Sequence, residues 1–439
     1  MIVSASLLAL NLLVLQPPAA PPQTVSTRSD PAAASAAAPA PPITEYRLPP
    51  DKQAKADSLY VTRTTLFTVS TIAAILLPLV LILLRIGPAY RSLAERLSRR
   101  RVVQALVYVP LLLLTMAVLS LPLDIYGQHV MREYGMSVQT WGSWTADWAK
   151  AQVLTSVICV PLLLGMYAII RRSPQRWWLY FWLLTLPVIV FLIFVTPIWI
   201  DPIFNTFEPL AQKQPQLVAP IERVLGRANL TVSRDRMFEM KASEKVTVYN
   251  AYVTGIGATK RIVVWDNTAR DMTIPETLFV FGHEMGHYVL GHIYQLMGLM
   301  AASLFIAFWT SAIAIRVLLA RWGPAWHVRD LADWASLPIL ILLLAIVMLV
   351  LTPAFNVYSR HLEHQADIYG LEVTHGLSPD SSQAAAWAFQ KLGEKALSYP
   401  NPNTLFVIWA YDHPPVRDRL AFALGYKPWD QGVPPMFVK

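Results

Sequence analysis

Two histidines four residues apart, with a glutamate between them, are the residues of this chain best placed to do chemistry: His283-Glu284-Met285-Gly286-His287, an HExxH pentapeptide. On a helix, positions four apart share a face, so both imidazoles converge there while Glu284 stands beside them. Two neutral imidazoles do not complete a zinc site, because a catalytic ion takes three protein ligands and keeps a fourth position open for water. The best third ligand is Glu363 in SRHLEHQADIYG, since Asp367 lies four residues on along the same helical face. One carboxylate can then bind the metal while the other accepts the free N–H of a ligand histidine, fixing its tautomer and raising its basicity. This set suits peptide hydrolysis: zinc lowers the pKa of water toward ~7, and Glu284 takes the proton as water attacks and passes it to the leaving amine. The lone cysteine, Cys159, lies in an apolar run, which excludes an intrachain disulfide and a cysteine-based zinc site.

The remaining histidines carry weaker patterns. His292 stands five residues past His287, rotated off its face, and reads as supporting or structural; His361 and His364 flank Glu363 but leave its face, toward solvent or an interface. His129, His327 and His375 have no pattern. A bare HExxH also arises by chance. Here Gly291-His292 follows it, a helix is predicted across it, and a carboxylate pair at helical spacing lies downstream.

The elements that must position these residues are membrane-grade. Hydrophobic residues make up 55% of the 439 and charged ones only 15%, and six windows exceed the ~18 residues needed to cross a bilayer. The expected spans lie near Thr65 to Leu84, Val102 to Leu123, Ala151 to Ile170, Trp177 to Ile200, Gln295 to Ile315 and Ala335 to Val357, which makes this a mainly α, polytopic membrane protein. Residues 1–20 read as a signal peptide or short anchor without the usual basic start, and 21–58 as a Pro/Ala-rich linker. A four-span region, 59–200, precedes an insert, 201–294, that ends on the HExxH helix. Within it, Lys245 to Trp265 is β-branched and broken by glycines, which predicts a small hairpin. Two further spans occupy 295–357, and 358–439 completes the catalytic domain, which is therefore split around two membrane helices.

Loop charge predicts orientation. Arg85, Arg91, Arg96, Arg99, Arg100 and Arg101 fill the first connection, Arg171, Arg172 and Arg176 the third, and Arg316, Arg321 and Arg329 the fifth; all three fall on one side. The opposite connection, Asp124 to Lys150, carries only Arg132 and Lys150. By the positive-inside rule the arginine-rich side is cytoplasmic and the catalytic segments lie outside the cytoplasm. The net charge of +8 is thus a topology signal, and nothing points to nucleic acid as a partner.

HEMGHYVLGH, SRHLEHQAD and the late YDHPPVRDRL together resemble the M48 family of membrane zinc metallopeptidases, in particular the Ste24-type CAAX prenyl proteases. LPLDIYGQHVMREYG, IDPIFNTFEPL and NAYVTGIGATKRIVVWD are similar to Ste24-type segments in the same order, so the likeness runs from about Lys55 onward. The resemblance implies one zinc ion per subunit on His283, His287 and Glu363, Glu284 as general base, and Asp367 orienting a ligand. It further implies that His413 stabilises the oxyanion, that Arg419 braces the site, and that Asn250, Ala251 and Tyr252 form an edge strand pairing with substrate backbone. Seven helices around an intramembrane chamber are implied as well, with Met1 to Leu15 as the seventh. Eukaryotic members face the cytosol with their site, in conflict with the loop charges here.

The reading is a membrane zinc metalloendopeptidase acting on membrane-associated or unfolded polypeptides. The alternative enzyme is a CAAX-type protease releasing C-terminal tripeptides from prenylated proteins. A chaperone or scaffold on an inactive peptidase fold would be expected to lack Glu284 or a ligand, and all are present. A transporter would carry paired ionisable residues at mid-membrane depth, and these spans carry almost none.

Overall fold

The computed structural model describes residues 41–438 except residue 256. Met1 to Leu15, and with it the expected seventh helix, lies outside the described residues. Helix α1, Pro50–Leu83, opens with proline in its first turn, where the missing N–H costs nothing. It is followed by α2, Ile86–Leu97, α3, Arg101–Glu133, α4, Trp141–Arg172, and α5, Trp177–Val195. The insert supplies strand β1, Phe207–Pro209, helix α6, Pro215–Arg227, and strands β2, Met237–Met240, β3, Ala251–Thr254, and β4, Arg261–Trp265. Then come α7, Ile274–Val289, α8, His292–Trp322, α9, Leu337–Thr374, α10, Ser381–Lys395, α11, Thr404–Ala410, and α12, Val416–Gly425.

Among the described residues six helices are long and apolar enough to span a membrane. Their outer faces expose Leu106, Val153, Phe191, Val317 and Val350, an apolar surface that water would not tolerate on this scale. Helix α9 has 38 residues, roughly 57 Å at 1.5 Å per residue, nearly twice a ~30 Å hydrocarbon core. It does not stop at Val357, where the apolar run ends, but carries Glu363 and Asp367 onward on the same rigid rod.

The three arginine-rich connections meet at one end. Arg316 Nη2 donates to Gln175 O at 2.8 Å, Arg329 pairs with Glu95 at 2.8 Å, and Arg91 pairs with Asp333. At the other end the Tyr134 to Thr140 loop joins the catalytic insert, with Val138 N donating to Lys245 O at 3.1 Å. Each end has its own core. Phe279, Phe281, Val373 and Phe389 anchor the catalytic one, and Tyr108, Tyr167, Trp177 and Trp334 the other.

The predicted hairpin is present as the antiparallel pair β3 and β4, inside a larger sheet of order β1-β2-β4-β3 whose β2 and β4 run parallel. Strand β3 is terminal, and one side of its backbone is therefore unpaired within the sheet. Residues 21–58, read from composition as linker, depart from that reading in their described part. Ile43 and Arg47 exchange backbone hydrogen bonds with the side-chain amides of Gln383 and Gln390 on α10. Buried Tyr46 lies between them against Gly393, and α1 is already helical from Pro50. Two glutamines seven residues apart on one helix face thus grip an extended segment that composition alone cannot reveal.

Candidate active site

A capping box starts the helix that carries HExxH. Thr273 N donates to Glu276 Oε2 at 2.7 Å, Glu276 N donates back to Thr273 Oγ1, and Pro275 occupies the first turn. Helix α7 then crosses α9 on glycines. A Cβ on Gly286 would stand 3.0 Å from Tyr369 Cβ and 3.1 Å from Ala366 Cα, and one on Gly370 would stand 3.0 Å from His283 N. Only bare backbones can approach this closely, and the approach brings the imidazoles of α7 onto the carboxylates of α9.

His283 Nε2 and His287 Nε2 face each other at 3.1 Å, and each lies 3.3 Å from a Glu363 carboxylate oxygen. Tetrahedral zinc with Zn–N near 2.0–2.1 Å places its ligand atoms about 3.3–3.4 Å apart, so this triangle fits the ion. Among the described residues no hydrogen bond is made to buried Glu363 Oε2, as expected of an oxygen meant for a cation. The His283 ring is turned by Asp367, whose Oδ1 accepts its Nδ1–H at 2.9 Å and leaves Nε2 as the free lone pair. Arg419, on α12, donates twice to Asp367, at 2.6 and 2.9 Å, and stacks its guanidinium on Phe389. The position of Arg419 supports the bracing role that the resemblance implies.

Glu284 is half-buried beside His283. Burial pushes its carboxyl above the ordinary range, with His283 and His287 pulling the other way. His413, half-exposed just before α12, places Nε2 3.3 Å from Glu363 and Nδ1 2.8 Å from Asp412. Desolvation acts to lower its pKa, but the carboxylates of Glu363 and Asp412 outweigh that and raise it to about 9.

Asn250 immediately precedes β3, and Ala251 and Tyr252 open it. Trp265 N donates to Asn250 O at 3.0 Å, and the antiparallel alternation then points the backbone of Tyr252 and Thr254 toward β4 and that of Ala251 and Val253 toward the open edge. Val253 thus joins the residues anticipated from sequence, and the period of two could have revealed it. A shallow, open and largely apolar hollow formed by Pro353, Ala354, Val357, Tyr358 and His361 runs along α9 within three turns before Glu363.

His292 keeps its reading as a supporting or structural residue but reaches His287 by an unexpected route. A continuous helix would rotate it away from His287, but the chain turns at Gly291, φ 68°, and His292 Nδ1 lies 3.0 Å from His287 Nδ1. Gln365, which sequence reasoning passed over, is its other partner at 3.1 Å. His361 lies 3.2 Å from Gln365, and His364 packs on Phe422.

Residues 32–206 match the family model described as CAAX prenyl protease N-terminal, five membrane helices, and residues 211–427 match Peptidase family M48. The chain is 38% identical to a protein of Bacillus subtilis named uncharacterized metalloprotease YhfN, over 74% of each chain. It is 27% identical to the human CAAX prenyl protease 1 homolog over 73% of each. The crystal structure of S. mikatae Ste24p superposes with a TM-score of 0.71 at 24% identity, covering 85% of this chain and 88% of that one, and shares the fold. The chain belongs to peptidase family M48 and is a multi-pass membrane metallopeptidase of the Ste24 type.

Proposed function

We propose that this protein is a zinc-dependent endopeptidase that cleaves membrane-associated or unfolded polypeptides. The observation that carries the reading is the triangle of His283, His287 and Glu363, whose facing atoms are spaced for tetrahedral zinc. When bound, zinc supplies a Lewis acid that makes water nucleophilic near neutral pH and polarises the scissile carbonyl. Glu284 accepts the proton of the attacking water and delivers it to the leaving nitrogen. His413 offers an N–H to the oxygen that gains charge, and Asp367 with Arg419 keeps the His283 ring in its tautomer. The outward N–H and C=O of Val253 and the C=O of Ala251, whose own N–H donates to Asn250 Oδ1 at 2.7 Å, pair with the substrate main chain along the Asn250, Ala251 and Tyr252 segment, which gives affinity with little demand on side chains. The apolar hollow ahead of Glu363 supports substrates that arrive from the bilayer.

Substitution of Glu284 by Gln tests the reading. The purified protein should keep one zinc per chain and lose cleavage of a reporter peptide by roughly 10²–10⁴-fold; full activity ends it.

A second reading, removal of C-terminal tripeptides from prenylated proteins, is favoured by the names of the mammalian relatives. The arginine-rich connections at the end opposite the site argue against it, since by the positive-inside rule they favour a site outside the cytoplasm. Impermeant thiol reagents on intact cells decide the side. With an accessible outer surface, Arg223→Cys should label and Arg99→Cys should not; the reverse pattern favours the prenyl-protein reading.

A further inference from the structure

The two candidate ligand histidines are held by unlike partners. His283 leans on a carboxylate. His287 leans on a second imidazole: His292, 1% exposed, opens α8 immediately after the left-handed turn at Gly291 and presents Nδ1 to His287 Nδ1 at 3.0 Å. Its opposite nitrogen faces Gln365 Oε1 at 3.1 Å, and Gln365 Nε2 faces His361 Nε2 at 3.2 Å.

We propose that His292 is a positioning residue for the metal site, accepting the Nδ1–H of His287 and anchoring that ring through Gln365 to His361. The inference rests on His287 being a zinc ligand. An imidazole that gives its Nε2 lone pair to a metal is neutral and carries its proton on Nδ1, so it must donate there. His292 Nδ1 is then the acceptor, its proton sits on Nε2, and that N–H donates to the Gln365 carbonyl oxygen. The Gln365 amide in turn donates to His361. Every bond in this chain has one donor and one acceptor. Reversing it would put the His287 proton on Nε2, aimed at His283 and Glu363, and would close the site to a cation. The neutral chain therefore selects the metal-binding tautomer of His287 without adding a charge, where a carboxylate is the commoner partner of a ligand histidine.

The test is zinc affinity by chelator competition on the full-length protein in detergent. His292→Leu, which fills space but cannot accept a hydrogen bond, should weaken zinc by roughly 10–100-fold. His292→Gln, whose amide oxygen can accept the same N–H, should recover the larger part of the loss. Metal-free thermal unfolding of both variants should match the wild type. If His292→Leu does not fold, Gln365→Leu keeps the buried ring, removes only its anchor, and should still weaken zinc. Affinity within about twofold of wild type in both Leu variants overturns the proposal, because outer partners of ligands ordinarily count for more than that. Equal losses in His292→Gln and His292→Leu also overturn it, tracing the effect to packing. A wild-type protein that binds no zinc, or a His287→Ala protein that binds it unchanged, refutes the ligand assignment instead.

Discussion

Helix α9 is flanked at both ends by a buried Arg–Asp pair, and the two pairs do different work. Ahead of its start, Arg91 Nη1 meets Asp333 Oδ2 at 2.5 Å, with side chains 9% and 2% exposed. Near its end, Arg419 Nη2 meets Asp367 Oδ1 at 2.6 Å, with side chains 12% and 2% exposed. Burial and charge are nearly the same. The remaining oxygen capacity is not: Asp333 accepts the backbone N–H groups of Arg329 and Ala335, at 3.0 and 3.1 Å, and so is spent on its own loop. Asp367 directs its second interaction to the ring of His283. A buried ion pair thus serves the fold or the site according to what its spare lone pairs reach.

Breaking each pair is the largest way to test that contrast. Removing one partner of a buried pair leaves the other charge unpaired and costs about 3–5 kcal/mol. Asp333→Ala and Asp367→Ala should therefore both lose thermal stability by a comparable amount. They should part on zinc: the folded fraction of Asp333→Ala should bind it as the wild type does, whereas Asp367→Ala should bind it roughly 10–100-fold more weakly. Equal zinc affinity in the two would mean that Asp367 is as structural as Asp333.

How much of this was legible depends on sequence distance. HExxH and the Glu363 and Asp367 pair could be read because each is a four-residue spacing on one helix, and the spans because hydrophobic length is local. Arg91 and Asp333 lie 242 residues apart, so nothing local links them. His413 and Arg419 entered only through a family resemblance, since a histidine before two prolines reads otherwise as a turn. The supporting reading of His292 agrees with the structure, but its direct contact with His287 is not legible from helical rotation, because the chain turns at Gly291. Strands β1 and β2, three and four residues long, are too short to show alternation, while the hairpin announced itself by β-branched residues around glycines.

A gentler probe acts on the crossing of α7 and α9. Gly282 and Gly286 are four apart and face α9, a spacing visible in sequence whose purpose becomes clear only with the partner helix in place. Gly286→Ala puts a methyl 3.0 Å from Tyr369 Cβ, and overpacking of this kind costs about 1–3 kcal/mol. Because the displaced helix carries Glu363, zinc affinity should fall together with stability. Gly298→Ala, with nothing among the described residues within 4 Å of the added carbon, is the control that should leave zinc affinity unchanged and should not lower stability. Stability loss without zinc loss would show that the ligand triangle tolerates a shifted crossing.

The smallest expected effect lies farthest from both ion pairs, at the open edge of β3. Val253→Pro deletes one outward N–H, and proline is tolerated in an edge strand where its nitrogen faces away from the sheet. A hydrogen bond to substrate is worth about 0.5–1.5 kcal/mol net, which corresponds to a rise in KM of roughly 2- to 12-fold for an extended peptide. The value of kcat and the zinc content should stay near wild type, since no ligand or proton-transfer group is touched. Tyr252→Pro is the matched comparison: its N–H points into the ladder with Val263, and its loss should lower stability as well. If Val253→Pro leaves KM unchanged while Tyr252→Pro destabilises the sheet, the edge is real but substrate does not bind along it. The strand would then join Asp333 among the residues that build the fold without entering the chemistry.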